Sequence, residues 1–473
     1  MKFMKNIIYI VLFAYILIAA LTIIFFNGTG DAGDSIYHYL FAKYAPIHPE
    51  LFFYHWAKPV YVLLASPFAQ FGFTGIKIFN ALVSLTTIFL TYKIARELNI
   101  KNAIISAVIM IFTPLYYILT FSGLTEPLFA LITAVGVYLS INKKYLTSCL
   151  IISFLPFVRS EGLIIIGVFM IYFLYKKHWK LIPFLLVGSI VYSIAGYFVY
   201  HDFLWIFNKI PYAKLSSSYG SGNLFHFAEQ LFYVVGVPIY ILFWIGFINL
   251  LLKSIKYKII PEEQILILFG FICFLIAHSL FWYFGIFNSM GLKRVLIGVM
   301  PMISIISLQG FNFITENLFA AKKRLKIIIQ VLLVAYIIIF PFTSNPAAIN
   351  WKREMMLSND QLSAIKSANF ILNTNGTNCR IICSHPYLSE ALNIDCFNKN
   401  KRLNLNQRNI EQIKTGDIIV WENWFALTES NIQKKDLDNN IGLINIYNSK
   451  VDDNGREIIY SIYEKKETSA NKK

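Results

Sequence analysis

From Ile7 onward the chain alternates long apolar runs with short polar links. The first run, Ile7–Phe26, has the ~20 residues that cross ~30 Å of hydrocarbon as a helix. Lys2 and Lys5 precede it and no small-x-small cleavage site follows, which predicts a retained signal anchor. Further spans are predicted at Gly75–Tyr92, Ala103–Leu119, Pro127–Ile141, Leu146–Phe157, Gly162–Tyr175, Leu181–Tyr200, Leu231–Leu252, Gln264–Phe284, Val295–Phe313 and Ile327–Phe340. That makes eleven. With a cytoplasmic N-terminus, alternate links hold seventeen Lys and Arg, in clusters such as Lys143–Lys144 and Lys322–Lys323–Arg324. The opposite links hold eight: Lys43, Lys58, Lys77, Arg159, Lys209, Lys214, Lys293 and Arg294. The positive-inside bias fits this register, and an odd number of spans puts the C-terminus outside.

Beyond Thr343 the pattern changes to polar sequence with the strand-like runs "CRIICS", "DIIVW", "GLINIY" and "EIIYSIY" and a helical stretch near Asp360–Leu372. Two domains are therefore expected. Residues 1–342 form a transmembrane unit with an external loop at 27–74, and residues 343–473 form a small extracytoplasmic α/β domain whose last segment, "EKKETSANKK", is disordered. Composition supports a polytopic α-helical membrane protein: 57% of residues are hydrophobic, 16% aromatic, and mean hydropathy is +0.57. The net charge of +16 sits in short clusters between apolar runs rather than on one tract, so it reads as topology and not as a nucleic-acid surface. Cys149 and Cys273 fall in spans and are expected to pack there. Cys379, Cys383 and Cys396 fall in the tail, where one disulfide is open to them. "NGT" occurs at Asn27 and Asn375, two formal glycosylation sequons.

Charge is expensive near a bilayer, so its concentration on one face marks a candidate site. The first external loop carries Asp31, Asp34, His38, Lys43, His48, Glu50, His55 and Lys58; later external links add Glu126, Arg159 with Glu161, and Lys293–Arg294. Each has a plainer alternative. Asp34 is either a general base or a helix N-cap, and Asp31 a substrate group or part of a glycine-rich turn. Lys58, Arg159 and Arg294 are phosphate ligands or snorkelling anchors. Glu126 is a catalytic acid or a partner of a helix dipole, and His38 and His55 contact substrate or pack. No spacing resembles a zinc site, and no cofactor is indicated beyond a divalent cation that the acidic loop would attract.

The segments "GDSIYHYLFAKYA", "HWAKPVYVLLASPFAQFG" and "TYKIARELNIKN", with the later "LTEPLFALITAVGVYLS", "FLPFVRSEGLIII" and "LKRVLIGVMPMISII", resemble the GT-C membrane glycosyltransferases. The likeness is to the lipid A aminoarabinose transferase and protein O-mannosyltransferase branch, it covers about the first 310 residues, and "KTGDIIVWENWF" is similar to the external tail of some bacterial members. Asp34 matches the family's first-loop aspartate, with Ser35 where a second acid often stands; Lys58–Pro59 matches its Lys-Pro, with Val60 in place of the second proline. The resemblance implies a GT-C-like fold. It further implies inverting transfer of a sugar from a polyprenyl-phosphate donor to a lipid, glycan or protein acceptor at the external face, among membrane lipids. On this chemistry Asp34 would take the acceptor's proton, Glu126 would be a second acid orienting acceptor or metal, and Lys58, with Arg159 and Arg294, would contact the donor phosphate. The rival class, a transporter or flippase of a lipid-linked sugar, calls for internal repeats, broken helices near the midplane and intramembrane charge; no repeat is evident and no charge stands at a span centre.

Overall fold

The computed structural model describes residues 2–211, 220–256, 260–319, 322–374, 376, 379–453 and 455–466, with the side chains of residues 2–5, 317 and 318 left aside. Lys214, Lys258, the Asn375 sequon and residues 467–473 lie outside the described residues, and the start of the expected disordered end, Glu464 and Lys465, belongs to a strand.

Seven helices are long and apolar enough to cross a membrane: Asn6–Phe25, Gly72–Glu97, Trp179–Tyr200, Val237–Ser254, Glu263–Phe284, Lys293–Glu316 and Lys323–Phe342. Shorter apolar helices occupy Pro59–Ala69, Glu126–Ile141, Tyr145–Phe157 and Gly162–Tyr175. The expected runs are helical, but several are not continuous. Ala103–Leu119 divides at Thr113 into helices Ile104–Phe112 and Pro114–Thr120, because proline cannot supply the amide that would continue the first. Leu231–Leu252 divides at Gly236, whose φ of 75° breaks the helix before Val237–Ser254. The segment "YHWAKPVYVLL", which reads in sequence as one amphipathic stretch along the membrane surface, also divides. Residues 55–57 form a turn, and the helix starts at Pro59 with Lys58 before it in the left-handed region at φ 67°.

After a short helix at Trp351–Glu354 the tail folds around a five-stranded sheet, β1 (Ile381–Cys383), β2 (Arg402–Asn404), β3 (Ile418–Glu422), β4 (Leu443–Asp453) and β5 (Arg456–Lys465), in the order β2-β1-β3-β5-β4. The first two pairings are parallel and the others antiparallel. Side chains alternate across the sheet, so both faces are covered. Ile381, Cys383, Ile418 and Val420 pack under the helix Asn359–Thr374, while Ile382, Ile419, Trp421 and Tyr463 form the second layer. All five cysteines are free, so the tail disulfide does not form.

The tail domain docks on the first loop. Gly28 N donates to the Met355 carbonyl (2.8 Å), Gln361 Nε2 to Thr29 Oγ1 (2.8 Å), and both Tyr39 Oη and Lys43 Nζ to Glu390 (2.9 Å). His48 Nε2 pairs with Asp395 at 2.7 Å. The opposite end of the bundle carries simpler pairs, Lys101 and Lys326 on Glu316 and Lys176 on Glu262.

Small residues let two membrane helices touch through backbone. A Cβ on Gly310 would lie 1.8 Å from the Leu242 carbonyl oxygen, and one on Gly246 1.9 Å from that of Ile306. Gly310→Ala must therefore part the helices Val237–Ser254 and Met300–Asn312, an overpacking cost of about 1–3 kcal/mol. Melting in detergent should fall by several degrees relative to Gly167→Ala, whose Cβ meets nothing within 4 Å. Equal melting of the two variants would contradict this helix contact.

Candidate active site

The loop "NGTGDAGD" is shaped by its own side chains. Thr29 Oγ1 donates to the Asp31 carbonyl (2.7 Å), and Ser35 Oγ to the Thr29 carbonyl (2.6 Å). One oxygen of Asp31 accepts from the amides of Gly33 (2.8 Å) and Ser35 (3.1 Å), closing the start of the helix Asp34–Tyr44. Asp31 is therefore the capping side chain and Gly33 the N-cap residue, so the N-cap alternative for Asp34 does not hold. The Asp34 side chain is 42% exposed, opening into a cavity.

Arg294 ties this loop to the rest of the molecule. Its Nη1 meets Asp31 Oδ2 at 2.6 Å, its Nη2 contacts Asp34 Oδ2, and its Nε faces Glu126 Oε1 at 3.3 Å. Arg159 continues the chain of charge: Nη1 lies 2.8 Å from the same Glu126 oxygen and 3.1 Å from Thr125 Oγ1, and Nη2 lies 2.8 Å from Glu161 Oε1. Glu126 is fully buried, and its two oxygens make no well-aligned hydrogen bond, so the contacts at 2.8 and 3.3 Å hold it by charge rather than by directed bonds. A buried carboxylate between two guanidinium groups fixes both arginines in place.

The cavity has a volume of about 1130 Å³ and lies between the membrane helices and the tail domain. Asp34, His38, Lys58, Arg159 and Arg294 line it, together with Glu161, His278, Trp56 and Arg402. Asp31 and Glu126 stand behind Arg294, outside the lining. His55 is outside it too, its ring edge-on to Trp205 at 6.3 Å. His278 was missed because a single histidine in "FLIAHSLFWYF" leaves the apolar run intact, although a lone ionisable group in a span is itself a signal. Arg402 comes from the tail, far from the external loops in sequence. Among the described residues no three His, Cys, Asp or Glu converge as a metal ion would need; Asp31 and Asp34 turn toward Arg294 instead.

Electrostatics differ from residue to residue around this wall. Burial, the largest single influence, would raise the Asp34 carboxyl, but Arg294 by charge and hydrogen bond, with His38 and Arg159, together hold it below the usual range. Burial pulls the Lys58 ammonium down to about 8 against the favourable pull of Glu161, and pushes the His38 ring, stacked on Trp56 at 5.0 Å, down to about 3. Lys58 also holds its left-handed backbone directly before a proline, a strain on the order of 1–3 kcal/mol that must be sustained by its surroundings. Burial would raise Glu161, yet Arg159 first, then His278 and Lys58, lower it to about 2.

A carboxylate depressed in the folded state contributes stability that is present above its unfolded value and is lost as pH falls through its folded value. Glu161→Gln should therefore lower melting by several degrees at pH 7, and the gap to the unmodified protein should close between about pH 4.5 and 2. Melting curves that stay parallel over that range would show that Glu161 is not held by this network.

No protein-family model matches the chain, and no curated protein matches it significantly in sequence. Its structure is nevertheless similar to that of ArnT from Cupriavidus metallidurans bound to undecaprenyl phosphate, with a TM-score of 0.64 and 10% identity over 97% of this chain and 98% of that one. For the same protein in the apo state the TM-score is 0.62, again at 10% identity, over 96% of this chain and 97% of that one. So little identity over nearly the full length of both chains speaks for architecture alone, and the chain has an ArnT-like fold: a multi-pass helical membrane unit carrying a small C-terminal sheet domain.

Proposed function

We propose that this protein is a membrane glycosyltransferase that moves a sugar from a polyprenyl-phosphate donor to an acceptor hydroxyl, with inversion, at the extracytoplasmic face. The observation that carries the reading is the placement of three cations, Lys58, Arg159 and Arg294, and the half-exposed carboxylate of Asp34 on the wall of a single cavity large enough for a sugar and its acceptor. ArnT of the same fold binds undecaprenyl phosphate, which supports a donor of that class here. The Lys clusters at the opposite end of the bundle and the docking of the tail on the first loop support a cytoplasmic N-terminus and an extracytoplasmic domain from residue 343.

The reaction forms a bond from the acceptor oxygen to the anomeric carbon and breaks the bond from that carbon to the phosphate oxygen. The bonding pair leaves with the lipid phosphate, and the acceptor proton passes to Asp34. Four carboxylates, Asp31, Asp34, Glu126 and Glu161, face three cations, so an incoming phosphate must compete for Arg294. That competition favours catalysis. A phosphate on Arg294 loosens its hold on Asp34, and an aspartate relieved of its guanidinium recovers basicity as the acceptor arrives. Lys58 and Arg159 then stabilise the charge on the departing phosphate. Glu126, behind the wall, is a positioning residue that keeps both guanidinium groups aimed at the cavity.

A labelled polyprenyl-phosphate sugar presented in vesicles to the purified protein tests both roles in one experiment. Asp34→Asn should cut transfer by ~10²-fold or more while retaining or strengthening donor binding, because Arg294 loses a competing anion. Lys58→Ala should weaken donor binding by about tenfold to a hundredfold, the worth of a charge-assisted contact. Full transfer by the first variant, or unchanged donor affinity in the second, would remove the assigned role.

A further inference from the structure

The roof of the cavity holds a fourth cation that sugar transfer does not use. Arg402 lies in β2, is 6% exposed, and lines the cavity. Its Nε donates to Cys383 Sγ at 3.5 Å and its Nη2 to the Cys383 carbonyl at 3.2 Å. It also acts electrostatically on Tyr37, which follows Asp34 by one helical turn and donates its hydroxyl to the Ser384 carbonyl at 3.2 Å. None of these partners is a carboxylate. Arg159, Arg294 and Arg380, the other arginines of comparable burial, each have one, whereas among the described residues Arg402 has none within ion-pair distance, and Glu429 of the same roof does not reach it. A thiol is a weak acceptor and a carbonyl carries only a partial charge, so a guanidinium buried on these alone is under-compensated.

Four neutral polar residues of the same domain, Asn404, Asn406, Ser384 and Ser430, also line the cavity. We propose that Arg402 is an anion subsite that binds a carboxylate or phosphate group of the acceptor. The anionic character of the ligand follows from a buried guanidinium that has only neutral partners; its assignment to the acceptor rests on the function proposed above. The donor's hydrocarbon must remain in the bilayer and its phosphate faces Lys58, Arg159 and Arg294 on the membrane unit, whereas Arg402 is carried by the tail domain, across Tyr37 from Asp34. A guanidinium fork suits the paired oxygens of either group.

Titration calorimetry of the full-length protein in nanodiscs with inorganic phosphate, before and after saturation with undecaprenyl phosphate, separates the two sites. One phosphate site should survive saturation. Arg402→Gln should weaken that site by about tenfold or more without changing undecaprenyl-phosphate affinity, and Arg402→Lys, which keeps the charge but not the fork, should weaken it partially. Unaltered phosphate binding in both variants overturns the subsite. Loss of the surviving site on lipid saturation overturns its assignment to the acceptor. Should undecaprenyl phosphate fail to bind at all while Arg402→Gln still abolishes a phosphate site, the transferase reading falls and the anion site stands.

Discussion

A single guanidinium group, that of Arg294, contacts carboxylates from two separate stretches of chain: Asp31 and Asp34 of the first loop, and Glu126 at the start of a membrane helix. Removing two or three carboxylates from water is costly unless each is compensated, and one planar fork with a buried anion behind it compensates them with few atoms. The surrounding fold serves that constraint. Asp31 spends one oxygen on the helix start and the other on Arg294, so the turn of the glycine-rich loop and the position of the cation depend on each other. Glu126 is shared with Arg159, which holds Glu161, and so the wall behaves as one charged unit rather than a set of pairs.

Much of this organisation is legible in the sequence because lipid imposes severe rules. The apolar runs and the basic links between them identify membrane helices, and short runs of β-branched and aromatic residues in "DIIVW" and "EIIYSIY" identify strands of the tail. The concentration of acids and bases in 27–59, and the Lys-Pro pair, point to the cavity wall where Asp34 and Lys58 lie. Composition does not reveal which of two aspartates three residues apart closes the helix, since both are good capping residues; only the path of the loop assigns that to Asp31. The role of Glu126 behind the wall depends on packing between distant helices. Arg402 reaches the site through a domain contact, Tyr37 to Ser384, that no local pattern encodes. Strand β2, three residues at a sheet edge, carries too little periodicity to be seen.

The tail domain is joined to the bundle by polar contacts placed along the same helix that begins at Asp34. Tyr37, Tyr39 and Lys43 each bond to it, and Phe41 packs on Phe397 with ring centres 4.7 Å apart. The Asp34–Tyr44 helix thus carries the roof, and the cavity is completed by both domains.

The central claim is that Arg294 exchanges a carboxylate for a lipid phosphate. The most direct measurement is a cryo-electron microscopy structure of the protein in nanodiscs with undecaprenyl phosphate. The phosphate is expected against Arg294 and Lys58, with the Asp34 carboxylate released from Arg294 and facing the cavity. Density for the phosphate elsewhere, for instance in the smaller cavity at the opposite end lined by Lys101 and Lys253, with Arg294 still closed on Asp31 and Asp34, would contradict it.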